Sequence, residues 1–332
     1  MYTKAHVGKL TRRFGIIPLK FRWRPSVYQK KAVIRIQTKT RSYALKPYYR
    51  SPLIPSGTIQ QMKEAAGRIQ YLIRRGYGHM PRWLYADNGK LWVIYKGKPF
   101  YMTEWIRGRG LREAADYEQL GRVTAAIHQP SNDLPGIHES DFFTLKQVAV
   151  WMAQDSRFLG DKDGATRKSA AYRRWFRTYE ADCRSLSERT WAEMKDPEIA
   201  ALLEQEISRP ALIHGDITSS NVIIAEDGRL YIIDWDRVRL GSVYAELAKA
   251  LANTTQFRPE FIRSFLQGYE EARPLERAER RLIASLFRLP REAWTAARFP
   301  NRKGSGELIG KMVETWPDRL KAAAFLDEWA AQ

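Results

Sequence analysis

Apolar residues in the first hundred positions alternate between strand-like and helix-like spacing. Short runs rich in β-branched and aromatic residues at 32–38 and 43–46 flank a polar turn, which is typical of two paired strands. Across 58–75 the apolar residues share one helical face and predict a helix, which a glycine then ends. Two more strand-like runs occupy 90–95 and 99–103. This order predicts a small mixed sheet crossed by one helix.

Beyond position 106 the pattern is mainly helical. One helix is predicted at 111–128, long charged amphipathic helices follow within 141–208, and helical spacing resumes from Val243 to the end. The segment 210–234 interrupts this run with an apolar strand, a polar loop and two strands around an Asp-Gly turn. We therefore predict an α+β protein with a small β-sheet lobe and a larger, mainly helical lobe.

Positive charge is concentrated at the beginning of the chain. The net charge is +19, and residues 1–50 contain fourteen Lys or Arg but no Asp or Glu, the first acid being Glu64. Such a field attracts an anionic partner, and the alternative is a lobe whose charge only keeps it in solution. A nucleic-acid partner would rest on charge alone, so we do not expect one.

Composition excludes several other classes of protein. The single cysteine, Cys183, excludes an intramolecular disulfide framework and a cysteine-based zinc site. No stretch approaches the roughly 18 apolar residues of a membrane helix, and the basic start lacks the apolar run of a signal peptide. We expect a soluble, cytoplasmic protein that is not secreted.

The residues that carry chemistry lie in the segment that interrupts the helices. A short apolar strand leads into His214-Gly215-Asp216, Asn221 follows five residues after Asp216, and two strands then return the chain to Asp234. Neighbouring strand ends would bring these oxygen ligands together, and such ligands suit a hard cation such as Mg²⁺. We predict that Asp216 orients or deprotonates a substrate hydroxyl while Asn221 and Asp234 hold the metal. An isolated His-Gly-Asp would instead be an ordinary turn with a capping aspartate.

This segment resembles the aminoglycoside phosphotransferase and choline kinase superfamily, whose members are relatives of the eukaryotic protein kinases. More narrowly, the chain resembles the bacterial spore-coat kinase-like proteins of the CotS type at 43–46, 101–109, 233–236 and 282–290. The resemblance implies transfer of the γ-phosphate of ATP, with Mg²⁺, to a hydroxyl of a small molecule, a sugar or a coat protein. It also implies a role in sporulation, in the mother-cell cytoplasm or in the spore coat.

The same resemblance implies a protein-kinase-like two-lobed fold. In this fold, residues 1–103 would form the nucleotide-binding lobe, 104–106 the hinge, and 107–332 the helical lobe with the catalytic loop and the metal site.

Particular residues of the small lobe acquire expected roles from the resemblance. Lys46 would pair with the α- and β-phosphates, and its expected partner is Glu64, the only acid between Lys46 and Asp87. The backbone groups of Glu104 and Ile106 would face the adenine. The alternatives are a surface strand lysine for Lys46 and a solvated helix charge for Glu64.

The chain departs from the family pattern at the phosphate-covering loop. The stretch 24–31 between the first two strands contains no glycine, although Arg24, Lys30 and Lys31 would compensate electrostatically. A kinase-shaped scaffold or binding protein of the spore coat, with weak catalysis, is therefore the alternative function. Asp236 is either an extra metal-side carboxylate or a helix cap.

The helical lobe offers two aromatic residues for a possible acceptor site. We interpret Trp294 and Phe299 as packing residues of the core. The alternative is that they line the acceptor site.

Overall fold

The computed structural model describes residues 3–25, 33–48, 59–131, 134, 138, 142–160, 170–292 and 305–332. Two compact units are present: a first unit of residues 1–111 and 214–239, and a second unit of residues 112–213 and 240–332. Whether residues 104–106 act as a hinge between two lobes stays a prediction. Among the described residues, no helix combines the length and the apolar character needed to cross a bilayer.

An antiparallel five-stranded sheet forms the centre of the first unit. Its strands stand in the order β1-β2-β3-β5-β4. They are β1 (Lys20–Arg24), β2 (Val33–Gln37), β3 (Ser42–Pro47), β4 (Trp92–Tyr95) and β5 (Lys98–Glu104). The register places Lys46 of β3 opposite Tyr101 of β5. The predicted strands are thus present, and their pairing fixes which side chains share a face.

One face of this sheet is apolar and packs against a helix that the sequence pattern did not predict. Helix α1 (Lys4–Arg12) begins at Thr3, whose side chain caps it, and it buries Val7 and Leu10. These residues join Ile34, Leu45 and other strand residues in one core cluster. The expected lobe with one helix therefore contains two, and the opposite face of the sheet carries Lys46.

Helix α2 (Ile59–Arg74) and a smaller sheet complete the first unit. The helix buries Met62, Ile69 and Leu72 on one face, as the spacing predicted. The small sheet has the order β6-β8-β9, formed by β6 (Gly108–Arg109), β8 (Val222–Ala225) and β9 (Leu230–Ile232). A turn of 3₁₀ helix at Trp235–Arg237 follows β9 and contacts α2.

The second unit is mainly helical. Its helices are α3 (Ala114–Ile127), α4 (Leu145–Gly160), α5 (Ala170–Glu193), α6 (Pro197–Ser208), α7 (Val243–Thr254), α8 (Pro259–Ala272), α9 (Arg277–Arg288) and α10 (Ser305–Ala331). Strands β7 (Ala211–Ile213) and β10 (Arg239–Gly241) form a two-stranded sheet.

Two glycines allow α3 and α8 to touch through their backbones. A Cβ atom on Gly121 would collide with the carbonyl oxygen of Phe265, and one on Gly268 would collide with that of Glu118. Any side chain at either position would push the helices apart, so this contact requires glycine on both helices.

A buried carboxyl of the second unit, that of Glu206, gives the unit a pH-dependent stability. Its Oε1 accepts the backbone N–H of Val243 at 2.9 Å, at the start of α7. Burial raises the pKa of Glu206 from 4.5 to about 7, although hydrogen bonds from Ser242 and Val243 oppose the rise. The folded chain therefore holds this proton more tightly than the unfolded chain does.

We expect Glu206→Gln to stabilise the protein at pH 8 but not at pH 4. With a raised pKa, the carboxyl contributes most favourably below pH 4.5 and loses that contribution as the pH rises through about 7. The loss amounts to roughly 3 kcal/mol, which a neutral amide avoids. Urea unfolding at both pH values measures the difference. Glu204→Gln, an exposed neighbour on α6, is the control. Equal effects of Glu206→Gln at both pH values would contradict the expectation.

Candidate active site

The loop that follows β7 is held in place by its histidine. His214 is fully buried. Its Nδ1 accepts the backbone N–H of Asp216 at 3.2 Å, and its Nε2 donates to the carbonyl oxygen of Ile233 at 3.1 Å. Its ring packs edge-on against Trp235, with the ring centroids 4.7 Å apart. Both nitrogens are thus engaged by the backbone, so this histidine shapes the loop.

A glycine in a left-handed conformation turns the chain toward Asp216. Gly215 has φ of +83°, and a Cβ atom there would lie 2.7 Å from the carbonyl oxygen of Arg237. Only glycine adopts this conformation at such close quarters without strain. The side chain of Asp216 remains 27% exposed, with Nη1 of Arg237 at 3.5 Å from its Oδ1. The carboxylate is accordingly open to a substrate and has a guanidinium beside it.

Asn221 ties Asp216 to the strand that leads into Asp234. Its Nδ2 donates to the carbonyl oxygen of Asp216 at 2.9 Å, and its own carbonyl oxygen accepts the N–H of Ile233 at 2.8 Å. The structure therefore brings the loop residues Asp216 and Asn221 beside the strand end that carries Asp234. With Nδ2 so used, the amide Oδ1 is the atom left for a cation.

The side chain of Lys46 is 15% exposed and lies between two carboxylates. Its Nζ forms an ion pair and a hydrogen bond with Asp234, and Asp236 Oδ2 lies 3.5 Å from the same Nζ. Tyr48 donates its hydroxyl to the carbonyl oxygen of Asp236 at 2.6 Å. Tyr101 also bonds to Asp234, and Trp83 stacks on Tyr101 with the ring centroids 4.5 Å apart. The lysine, the two acids and their aromatic neighbours form one compact cluster.

The charged groups in this cluster shift one another's pKa values. Burial raises the pKa of Asp236 and the negative charge of Asp234 adds to the rise, with Lys46 opposing it. Burial also acts to raise the pKa of Asp234, but the charge and hydrogen bond of Lys46 outweigh it, so that this pKa is lowered. For Lys46, the two carboxylates outweigh burial and raise the pKa. Lys46 and Asp234 are therefore both charged at neutral pH.

Glu64 lies in a different environment from the one the resemblance suggests for it. Its Oε2 is 3.6 Å from Nη2 of Arg68, one turn further along α2. Arg68 is buried, and its Nη1 donates to the carbonyl oxygen of Val238 at 3.5 Å. The acids on Lys46 are Asp234 and Asp236, while Glu64 stands beside the arginine that ties α2 to the segment after Asp236.

The two residues expected to face the adenine differ in their backbone bonding. The N–H of Glu104 donates to the carbonyl oxygen of Arg82 at 2.8 Å. Ile106 lies between β5 and β6, and its backbone makes no hydrogen bond to another backbone group in the part of the chain that the structure describes. Its groups are therefore available to a ligand.

The donor set fits a magnesium ion. Asp234 and Asn221 supply the oxygen atoms that Mg²⁺ prefers. Oδ2 of Asp236 is buried and makes no hydrogen bond to a described residue; Nζ of Lys46 lies 3.5 Å from it, so it retains capacity to accept from a second cation. Within the described ranges, no three His, Cys, Asp or Glu side chains gather into a metal site, so a site here needs the amide of Asn221 and bound phosphate or water.

The chain matches one known protein family. Residues 29–283 match the model of the phosphotransferase enzyme family, abbreviated APH. The chain belongs to that family. No curated protein matches this phosphotransferase.

Solved structures show that the phosphotransferase has the kinase-like fold. An aminoglycoside phosphotransferase from Alicyclobacillus acidocaldarius aligns with a TM-score of 0.77 at 15% identity, covering 97% of this chain and 96% of the other. Spectinomycin phosphotransferase APH(9)-Ia, in complex with ADP and spectinomycin, aligns at 0.61 and 17% identity over 95% and 90%. A microcompartment-associated aminopropanol kinase aligns at 0.58 and 16% identity over 93% of each chain. The predicted α+β, kinase-like fold is confirmed.

Several neighbours of the site escaped the sequence pattern. The sequence predicts no role at the site for Tyr48, Tyr101 or Arg237, because their place depends on strand register rather than on local spacing. The sequence does offer one signal for Tyr101. Tyr101 and Thr103 are two residues apart on one strand, as Ala44 and Lys46 are on another, so each pair lies on one face of its strand. Four residues with possible roles in the sequence analysis lie outside the described residues: Lys30, Lys31, Trp294 and Phe299.

Proposed function

We propose that this phosphotransferase is an ATP- and Mg²⁺-dependent kinase that transfers the γ-phosphate to a hydroxyl group. The observation that carries the proposal is the cluster of Lys46, Asp234 and Asp236 in the same unit as Asn221 and the open carboxylate of Asp216. Phosphoryl transfer depends mainly on placing such charges around the phosphates and the acceptor.

Each residue has a distinct task in this proposal. Asp216 accepts the proton of the acceptor hydroxyl as its oxygen bonds to the γ-phosphorus and the bond to the β-phosphate oxygen breaks, leaving ADP. Lys46, held between two acids, is positioned for the α- and β-phosphates. Asn221 and Asp234 would hold magnesium, which when bound supplies positive charge against the phosphate oxygens. Glu64 would act through Arg68, which anchors α2, and Glu104 and Ile106 would border the adenine.

The solved neighbours support the choice of nucleotide and of acceptor class. Spectinomycin phosphotransferase APH(9)-Ia has been solved with ADP and spectinomycin and also with AMP. The other neighbours act, by their names, on aminoglycosides or aminopropanol. Since function resides in the pocket rather than in the fold, the acceptor is proposed only as a hydroxyl-bearing small molecule, sugar or coat protein.

A thermal-shift comparison tests the nucleotide and metal parts of the proposal. Mg-ADP at a hundred times its Kd should stabilise the wild type by about 2.7 kcal/mol. Asp234→Asn should remove most of this gain, because it removes a charged metal ligand. Asp227→Asn, at the tip of the β8–β9 hairpin, should retain it. If Mg-ADP fails to stabilise the wild type, and no acceptor from a panel of aminoglycosides, amino alcohols and sugars releases ADP, the proposal is wrong.

The proposal also includes a cellular location for the protein. The CotS-type features at 43–46, 101–109 and 233–236 support association with the spore coat of a sporulating bacterium, after synthesis in the mother cell. Fractionation of spores with an antibody against the chain tests this, and recovery only outside the coat fraction would contradict it.

A kinase-shaped scaffold in the coat is the second candidate. The absence of glycine from 24–31 favours it. Rescue of a sporulation defect by Asp234→Asn would support the scaffold, whereas failure to rescue at normal protein levels would support the enzyme.

A further inference from the structure

Two arginines stand directly opposite each other on the Lys46 face of the sheet. Arg22 of β1 pairs with Arg35 of β2, and Arg35 pairs in turn with Ala44 of β3. Opposed residues of an antiparallel pair lie about 5 Å apart at their Cβ atoms, and like charges there destabilise the sheet. A negatively charged group bound beside such a pair would relieve the repulsion.

Within the described part of the chain, the charged residues that shift the pKa of Arg35 are all positive. Burial lowers the pKa of Arg35, and the charges of Arg107, Arg24 and Arg22 lower it further. No acid precedes Glu64 in the chain. The alternation of β5 directs Glu104 to the same face as its neighbour Tyr43, a core residue, and so away from the arginines. We call Arg22, Arg24, Arg35 and Arg107 the arginine cluster.

Arg35 is held in one orientation. Its guanidinium lies 5.0 Å from the centroid of the Trp105 ring, and its Nη2 donates to Oγ of Ser42 at 3.4 Å. Its Nε is buried and has no acceptor among the described residues. A fixed guanidinium with an unused donor is suited to bind a planar or tetrahedral anion.

We propose that the arginine cluster is an anion-binding subsite that takes a phosphate or carboxylate group on the Lys46 face of the sheet. A bound anion supplies the opposite charge that the Arg22–Arg35 pair lacks. The register places this subsite level with Ala44, two residues from Lys46 along β3. It is therefore an additional site, separate from the Lys46–Asp234 ion pair.

The identity of the bound group rests on the proposed function, whereas the existence of the subsite does not. The anionic group belongs either to the nucleotide or to a second ligand such as the acceptor. Both possible ligands would present the same kind of anionic group to the arginine cluster. Separate measurements on the full chain distinguish them.

The first measurement uses inorganic pyrophosphate without metal, against sodium chloride at equal ionic strength. Pyrophosphate should raise the Tm of the wild type and bind roughly tenfold more weakly to Arg35→Gln and to Arg22→Gln, since each loses a charged hydrogen-bond donor. Arg41→Gln, an exposed arginine in the β2–β3 turn, should behave like the wild type.

Stability without ligand separates a binding role from a structural one. Arg22→Gln should melt at or above the wild-type temperature, because it relieves repulsion with Arg35. Arg35→Lys keeps the charge but loses the planar fork, so it should recover only part of the pyrophosphate affinity.

The second measurement identifies the source of the group. If the nucleotide supplies it, Arg35→Gln weakens Mg-ADP binding roughly tenfold and leaves adenosine binding unchanged. If another ligand supplies it, Mg-ADP binding is unchanged and pyrophosphate still stabilises the wild type at saturating Mg-ADP. The subsite does not exist if pyrophosphate affects the wild type, Arg22→Gln, Arg35→Gln and Arg41→Gln equally. Failure of Mg-ADP to bind at all refutes the proposed function instead.

Discussion

Replacing Asp216 by asparagine should lower kcat about a thousandfold while leaving the affinity for Mg-ADP within twofold of the wild type. General-base assistance typically contributes 10²- to 10⁴-fold, and the amide cannot accept the proton of the hydroxyl. The fold should survive, because the bonds that place this residue use its backbone: His214 accepts its N–H and Asn221 donates to its carbonyl oxygen. Single-turnover phosphate transfer and nucleotide titration measure the two quantities separately.

A change confined to kcat is the decisive feature of this result. Arg237→Gln is the matched variant, since it removes the guanidinium 3.5 Å from Asp216 but leaves the carboxylate. We expect roughly a tenfold loss of turnover from it, because a partly exposed charge contact is weak. Equal losses in the two variants would mean that Asp216 only shapes the loop, and a large loss of Mg-ADP affinity in Asp216→Asn would place it among the metal ligands.

Much of the first unit follows from local spacing, but α1 does not. The strands at 33–37 and 42–47 and the helix at 59–74 lie within one or two residues of their predicted bounds. Helix α1 has only nine residues and few apolar ones, so propensity alone predicts it poorly. Its stability comes from packing Val7 and Leu10 against the sheet, a contact that no local pattern reports.

The site shows the same division between local and non-local information. The spacing of Asp216, Asn221 and Asp234 predicted three residues near one another, because a hairpin of short strands joins them. The acid beside Lys46 was not predictable in this way. It depends on the left-handed backbone at Asp234, with φ of 72°, and on a sheet register that no spacing specifies. Elimination along the sequence indicated Glu64, whereas the nearest acids in space are 188 and 190 positions away.

Replacing Lys46 by methionine should destabilise the metal-free protein by about 3–5 kcal/mol. The change removes the cation that pairs with Asp234, so this carboxylate loses its partner beside Asp236, whose pKa is already raised to about 8, and breaking a largely buried pair typically has a cost of this size. Lys39→Met, in the exposed β2–β3 turn, should change the unfolding free energy by less than about 0.5 kcal/mol. Urea unfolding in the presence of a chelator measures both variants.

Two additions should each restore stability to Lys46→Met. Magnesium should raise its unfolding free energy by more than it raises that of the wild type, because the ion replaces the missing positive charge. Adding Asp236→Asn should recover part of the loss at high pH, where ionisation of Asp236 beside Asp234 would otherwise add repulsion, and the pair should be non-additive there in a double-mutant cycle. Additive losses in the double variant, with no extra response to magnesium, would mean that Lys46 stabilises the fold through its aliphatic chain rather than through its charge.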